Sequence, residues 1–222
     1  MTPQTVPSLF AARVAADPGS PFLTYYDEAT GLRIELSATT LDNWVSKTAN
    51  LLVDGEGLGA GDQAAISGPP HWLHAAIALG AWTAGLSIGT PGEVTFAAET
   101  GPDGAYLFSP DSLTGSVADG LDFVTEVRTH GDHFAPVAPV GPTDPATPEL
   151  SHAALVEAAG ARAAAFELRA GARVLMAVHD QTPIAEWLLA PLAVGGSVVV
   201  VRNADDERLE KLAADEKVAA II

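Results

Sequence analysis

From Leu41 to Leu52 the residues Leu41, Trp44, Val45, Thr48, Ala49 and Leu52 fall on one helical face, and Ser37 or Thr39 stands where a cap would accept a free backbone N–H. The spacing predicts a helix. A glycine-rich turn, DGEGLGAGD, then leads to an apolar run from Gln63 to Ser67 that reads as a buried strand. Pro69 and Pro70 open a second helix through Trp72, Ala76, Leu79 and Trp82, which stops at Gly85. Leu86 to Thr90 reads as the next strand, so strand, helix and strand follow in the crossover order of a parallel sheet.

Between Pro91 and Pro148 the pattern breaks into short pieces: a helix near Val94 to Glu99, strands near Ala105 to Ser109 and Asp122 to Arg128, and a proline-rich stretch from Phe134 to Pro148. Regularity then returns with a helix from Pro148 to Leu168, a strand from Arg173 to Val178 and a helix from Pro183 to Val194. A strand from Ser197 to Val201, a charged helix from Asp205 to Asp215 and an apolar run from Val218 to Ile222 complete the chain. The pattern predicts an α/β fold of layered, largely parallel sheets flanked by helices, with a first segment over 1–139 and a second over 140–222. No internal repeat stands out. The run Val218 to Ile222 must pair: it either fills a place in this chain's own sheet or offers an edge through which a homo-oligomer assembles.

Composition narrows the function. The chain has 222 residues, 48% of them hydrophobic, enough for a sizeable core. It has no cysteine, which removes disulfides, thiolate catalysis and cysteine-based zinc sites together. With 28 acidic against 11 basic residues the formal charge is -17, so nucleic acid is not an expected partner, and a phosphate ligand needs a local cradle to overcome the field. The opening MTPQTVPSLFAARVAADPGS lacks the basic and apolar regions of a signal peptide, and no stretch reaches membrane-span length. A cytoplasmic protein with no membrane partner is expected.

Three stretches in order carry a resemblance. The first joins FAARVAADPGSPFLTYYD, LSATTLDNWVSKTANLL and GLGAGDQAAISGPPHWLHAAIALGAWTAGL; the second is ELSHAALVEAA; the third runs from Arg173 to Val218. Together they are similar to the amino-terminal part of the AMP-dependent synthetase and acyl-CoA synthetase family of adenylate-forming enzymes, over most of the chain except about 91–139. The resemblance implies the fold of that family's N-terminal subdomains. It also implies a phosphate loop, rich in serine, threonine and glycine and closing with Pro-Lys-Gly, shortly before a Ser-His or Thr-His pair.

At that place this chain reads VGPTDPATPELSH, from Val140 to His152. Gly141, Thr143, Asp144 and Pro145 are the remnant of the nucleotide loop, and the lysine position is held by Ala146. Such loops work because small residues let backbone N–H groups converge on oxygens while a lysine supplies charge. Pro142, Pro145 and Pro148 each remove a donor. Asp144 and Glu149 add repulsion of about 0.7 to 3 kcal/mol for a charge about 6 Å away at effective dielectrics of about 80 to 20.

The family's ribose-binding acid, hinge and carboxy-terminal lysine lie beyond the matched region, so no C-terminal lid domain is expected. The expectation is a non-catalytic homologue acting as a binding or interaction module, with no catalytic residue and no cofactor. A residual acyl-activating or nucleotide-binding protein, using ATP or AMP, Mg or CoA, is the alternative, and an oligomeric scaffold is another.

Other constellations are weaker. His71 and His74 stand three apart with no matching third ligand, and His130, Asp132 and His133 fall in a polar loop, so no metal is expected at either. Adjacent Ser151 and His152 point about 100° apart on a helix, which suits capping by Ser151, or by Thr147 ahead of Pro148, and not nucleophilic catalysis. The resemblance implies a histidine lining an acyl pocket near His179, so His152 and His179 are the possible ligand-pocket residues. Trp44, Trp72, Trp82 and Trp187 fall on apolar helix faces and read as core. Gly195 and Gly196 read as a turn closing a helix.

Overall fold

The computed structural model describes residues 3–109, 117 and 120–222; Met1 and Thr2, part of the stretch read above for a leader, lie outside them. Helix α1 (Val6–Ala16) precedes strands β1 (Pro21–Asp27) and β2 (Leu32–Ser37), helix α2 (Ala38–Asn50), strand β3 (Gln63–Ser67) and helix α3 (Trp72–Ala84). Strands β4 (Ser87–Ile88), β5 (Val94–Ala98), β6 (Tyr106–Phe108) and β7 (Leu121–Asp122) follow, then α4 (Phe123–Val127), α5 (His152–Ala165), β8 (Arg173–Ala177), α6 (Ala190–Ala193), β9 (Ser197–Arg202), α7 (Asp206–Asp215) and β10 (Ala220–Ile221). Single π-helical turns sit at Leu51–Gly55, after α2, and at Ala185–Leu189, before α6.

Two five-stranded sheets result. One has the order β10-β8-β9-β1-β2, parallel except for the β1-β2 hairpin; the other has the order β4-β3-β5-β6-β7 and is parallel throughout. The first sheet takes two strands from before residue 139 and three from after it, with Leu23 beside Val198, so the segment boundary crosses a sheet.

Helix α3 is buried from Trp72 through Trp82 within a core that also contains Leu23 and Tyr25 of β1, Ala64 of β3, Phe96 of β5 and Val198 of β9. Such a helix reads as apolar all round because it has no solvent face. Its Gly80 is demanded by packing, since a Cβ there would lie 2.6 Å from Cβ of Thr48 on α2. The outer face of the first sheet, with Tyr26, Leu175 and Val199, is covered by Leu212 of α7.

Capping fixes the helix starts. The Ser37, Ser151 and Asp205 side chains accept backbone N–H groups at the starts of α2, α5 and α7, and Gly85, at φ 91, closes α3. Because Ser151 is the cap, α5 begins at His152 and not at Pro148.

Two expected elements are corrected. Val94 to Glu99 is strand β5, because pairing with β3 on one side and β6 on the other overrides the helix preference of its alanines and glutamate. Asp122 to Arg128 is not a strand. The Asp122 side chain accepts the Thr125 N–H and starts α4, leaving only Leu121 and Asp122 to pair with β6. The expected strand at Leu86 to Thr90 shrinks to β4, and the helix at Pro183 to Val194 opens with the π-turn. The β1-β2 hairpin was not anticipated. Val218 to Ile222 yields β10, which pairs in parallel with β8 at the margin of the sheet. Among the described residues no helix is long and apolar enough to cross a membrane.

Beside β10, Glu216 gathers a polar cluster across four elements: the Tyr26 hydroxyl and Arg33 reach one carboxylate oxygen, and Arg173 reaches the other at 2.6 Å. Burial alone raises the Glu216 pKa, but hydrogen bonds from Tyr26, Arg173 and Arg33 outweigh it and bring the value down from 4.5 to about 2. A carboxylate whose pKa is depressed on folding stabilises the fold fully above its unfolded value and loses that contribution as pH falls through its folded value. Stability is therefore expected to decline between pH 4.5 and about 2. Glu216→Gln is expected to flatten that part of the profile, read as the urea midpoint against pH.

Candidate functional site

The loop from Val140 to His152 is closed on itself. Asp144 works as a clasp: its Oδ2 accepts the Gly141 N–H at 2.7 Å, its own N–H donates to the Gly141 carbonyl at 3.2 Å, and its carbonyl accepts the His152 N–H at 3.0 Å. The N–H groups of Ala146 and Thr147 both donate to the Leu150 carbonyl, and those of Glu149 and Leu150 to Oγ1 of Thr147. Pro142, which has no N–H, contributes its carbonyl to the Ala153 N–H. Donors already bonded in this way are not available to converge on an anion.

Ala146, at the lysine position of the resembled loop, is fully buried. Its carbonyl accepts two hydrogen bonds from the core, from Nε1 of Trp82 at 2.8 Å and from the Ile88 N–H at 2.9 Å. A buried tryptophan needs a partner for its indole N–H, and here that need ties α3 to the loop. Pro148 packs so closely beside β4 that a Cβ on Gly89 would lie 2.7 Å from its Cγ. Three consequences of sequence thus act together: no cation, a buried residue at the lysine position whose carbonyl is already bonded, and prolines in place of donors. The residues present do not fit a nucleotide phosphate.

His152 points inward. It is fully buried, and its Nδ1 accepts the Val6 N–H at the start of α1 at 3.4 Å. Burial lowers its pKa, against a smaller upward pull from Asp144. It is a neutral residue joining α5 to α1, and its Nε2 has no hydrogen-bond partner among the described residues.

His179 lies elsewhere. It is exposed, its backbone N–H donates to Oγ1 of Thr182 at 2.9 Å, and it lines an open groove of about 470 Å³ at the carboxyl ends of β8 and β9. None of the groove's lining residues belongs to the loop. Its cation, Arg202, is bridged to Asp27 at 3.3 Å and Asp180 at 3.2 Å. The structure therefore gathers Gly141, Thr143, Asp144, Pro145 and His152 in one segment and leaves His179 at a second place.

His71 proves to be the cap of α3, accepting the Leu73 N–H, and stacks on Phe108 with ring centroids 5.2 Å apart. The backbone carbonyls of His130, Gly131 and His133 accept hydrogen bonds from Lys47 and Asn50, so that loop is tied to α2 through its main chain. Among the described residues no group of three histidine, aspartate or glutamate side chains converges as a metal site. Trp72, Trp82 and Trp187 are buried, whereas Trp44 is half-buried and packs edge-on against Trp72.

Sequence reasoning missed the partnership of Trp82 with Ala146 and the clasp of Asp144. Aspartate three residues after Gly141, between prolines, is a turn signal that pointed to the second.

No family model matches the chain. It is 35% identical, over 244 aligned positions covering 100% of the chain and 99% of the relative, to a TIGR03089 family protein of Mycobacterium tuberculosis. Among solved structures it superposes on a fatty acyl-adenylate ligase of Legionella pneumophila in complex with acyl adenylate and pyrophosphate, at TM-score 0.72 and 12% identity, covering 99% of this chain and 44% of that one. The anthranilate CoA ligase AuaEII in complex with anthranoyl-AMP matches at TM-score 0.75 and 11% identity, with 98% and 49% covered. A fatty acyl CoA synthetase of Mycobacterium tuberculosis matches at TM-score 0.65 and 15% identity, with 98% and 49% covered. The chain spans about half the length of these enzymes, and the likeness establishes the fold of their N-terminal part.

Proposed function

This chain belongs to the TIGR03089 family, and on that premise we propose that it is a non-adenylating module built on the fold of adenylate-forming ligases and retained for binding or interaction. The observation that carries the reading is Ala146, buried and fastened to Trp82 and Ile88 where the resemblance implies a phosphate-gripping lysine. Adenylation depends on preorganised donors and charges aimed at the transferring phosphoryl group. Here the loop donors serve the loop, and the formal charge of -17 adds a repulsive field.

A second reading, retention of a nucleotide or acyl-CoA site, is favoured by the groove beside His179, because open α/β sheets take ligands at the carboxyl ends of their strands. One experiment separates the two. Purified protein is offered ATP and radiolabelled pyrophosphate with fatty, aryl and amino acids, while unfolding is followed with ATP, AMP and CoA. We expect no acid-dependent exchange above ATP alone and no thermal stabilisation by any of the three ligands. Exchange that co-purifies with the protein would overturn the non-adenylating reading, and stabilisation without exchange would favour the second.

A further inference from the structure

Arg13, in the last turn of α1, is a buried cation without a counterion. It is 7% exposed, and no carboxylate pairs with it among the described residues. Its Nε donates to the Gly196 carbonyl at 3.3 Å and its Nη1 to the Asp17 carbonyl at 2.7 Å, while the guanidinium carbon lies 5.6 Å from the centroid of the Phe22 ring. These contacts tie the end of α1 to the turn before β9. They leave the charge itself uncompensated, and a buried charge is costly unless an opposite one meets it. The third nitrogen, Nη2, makes no hydrogen bond among the described residues, yet unlike Nε2 of His152 it is not shut off from solvent.

Arg13 lines a cleft of about 550 Å³ at the amino ends of three strands, where Pro21 opens β1, Arg173 opens β8 and Ser197 opens β9. Asp17 and Gly196, whose carbonyls hold Nη1 and Nε, line it too, so the guanidinium stands in the wall with Nη2 on the open side. Gly171 and Gly195 keep the floor clear: they turn at φ 71 and 67, and a Cβ on either would meet nothing within 4 Å. The cleft shares no lining residue with the loop at 140–152 or with the groove beside His179, which lies at the opposite ends of β8 and β9.

We propose that this cleft binds a small organic monocarboxylate, with a carboxylate oxygen on Nη2 of Arg13. A guanidinium N–H to a carboxylate is a charge-assisted bond, and the ligand supplies the counterion that the fold omits. Lys217, also in the lining, has no ion-pair partner among the described residues and adds a second attraction. Of the carboxylates around the cleft, Glu35 and Glu216 are bridged by Arg33 and Arg173, and Asp215 lies in the field of Arg208. Four carboxylates against three cations still leave the lining one charge negative, which selects a single negative charge over phosphates and diacids. The volume lies within the range of about 300 to 1,000 Å³ usual for small-molecule sites.

Because the cleft stands apart from the loop, the exchange assay and the following titration fail independently. Butyrate, butyramide and succinate are titrated into ¹⁵N-labelled protein in chloride-free buffer, with the Nε–H resonance of Arg13 and the amides of Gly195 and Gly196 as reporters. Butyrate is expected to bind roughly tenfold tighter than butyramide, to bind tighter than succinate, and to shift all three reporters. Arg13→Met is expected to erase the preference for butyrate over butyramide. Ala16 is exposed, lines the cleft and follows Arg13 by three residues on one helical face, so Ala16→Glu provides a carboxylate from within. That variant is expected to weaken butyrate binding roughly tenfold, and Ala16→Gln to leave it unchanged. Should Arg13→Met not fold, Ala16→Glu decides. No response to butyrate at tens of millimolar, equal affinity for butyrate and butyramide, tighter binding of succinate, binding that leaves the Arg13 resonance unmoved, or an Ala16→Glu protein that binds butyrate as the wild type does each overturns the proposal.

Discussion

Ala146→Lys is expected to lower stability by about 3 to 5 kcal/mol, the scale of an uncompensated buried charge, and to bring no pyrophosphate exchange with it. The substitution supplies the cation that the loop lacks, yet Ala146 is fully buried and its carbonyl is held by Trp82 and Ile88. A lysine there must lose its proton or tear the loop from the core. Its folded pKa would fall below the usual value of about 10.4, so the penalty should shrink as pH rises toward that value. Urea midpoints measured across that range check the sign. Ala146→Met, which adds bulk without charge, separates crowding from ionisation, and Thr143→Lys at an exposed position of the same loop should stay within about 0.5 kcal/mol. A folded Ala146→Lys protein with wild-type stability would mean that the segment opens easily, and the case for a fastened loop would fail.

The second large effect is expected at Trp82. Trp82→Ala removes a fully buried indole, a change worth about 3 to 5 kcal/mol, and takes away one of the two hydrogen bonds on the Ala146 carbonyl. Trp82→Phe is the more telling variant, because it keeps most of the apolar bulk and deletes the donor, a net loss of about 0.5 to 1.5 kcal/mol before packing is counted. Its signature should be local. Amide exchange at Ala146, Thr147 and His152 should accelerate, while amides in the middle of β9 keep their protection. Equal acceleration in the loop and in β9 would show that Trp82 supports the core generally and does not fasten the loop in particular.

Much of the architecture was legible because the signals were local and agreed with one another. Ser37 ahead of an amphipathic run, Gly85 after an alanine-rich one, and the valines from Val198 to Val201 each mark an element through cap chemistry or β-branching. Val94 to Glu99 misled because alanine and glutamate favour helices, and only the presence of β3 and β6 on both sides makes the segment a strand. Phe123 to Val127 misled in the opposite sense: its valines suggest a strand, whereas one aspartate at Asp122 starts a helical turn. In the loop, the missing lysine and the three prolines were plain in the sequence. That Ala146 is buried was not, since its partner Trp82 stands 64 residues away, and residue type alone does not say which carbonyl an indole will find.

The sheet that sets Leu23 beside Val198 has a bearing on how the chain assembles during synthesis. The β1-β2 hairpin leaves the ribosome well before β9, carrying Phe22, Leu23 and Tyr25, which end fully buried. Its neighbour β9 arrives only after residues 38–196 have been made. Until then those side chains lack the strand that completes their sheet, and closing so long a loop is slow. Nascent chains stalled before Ser197 should therefore be the natural clients of chaperones that shield apolar surface.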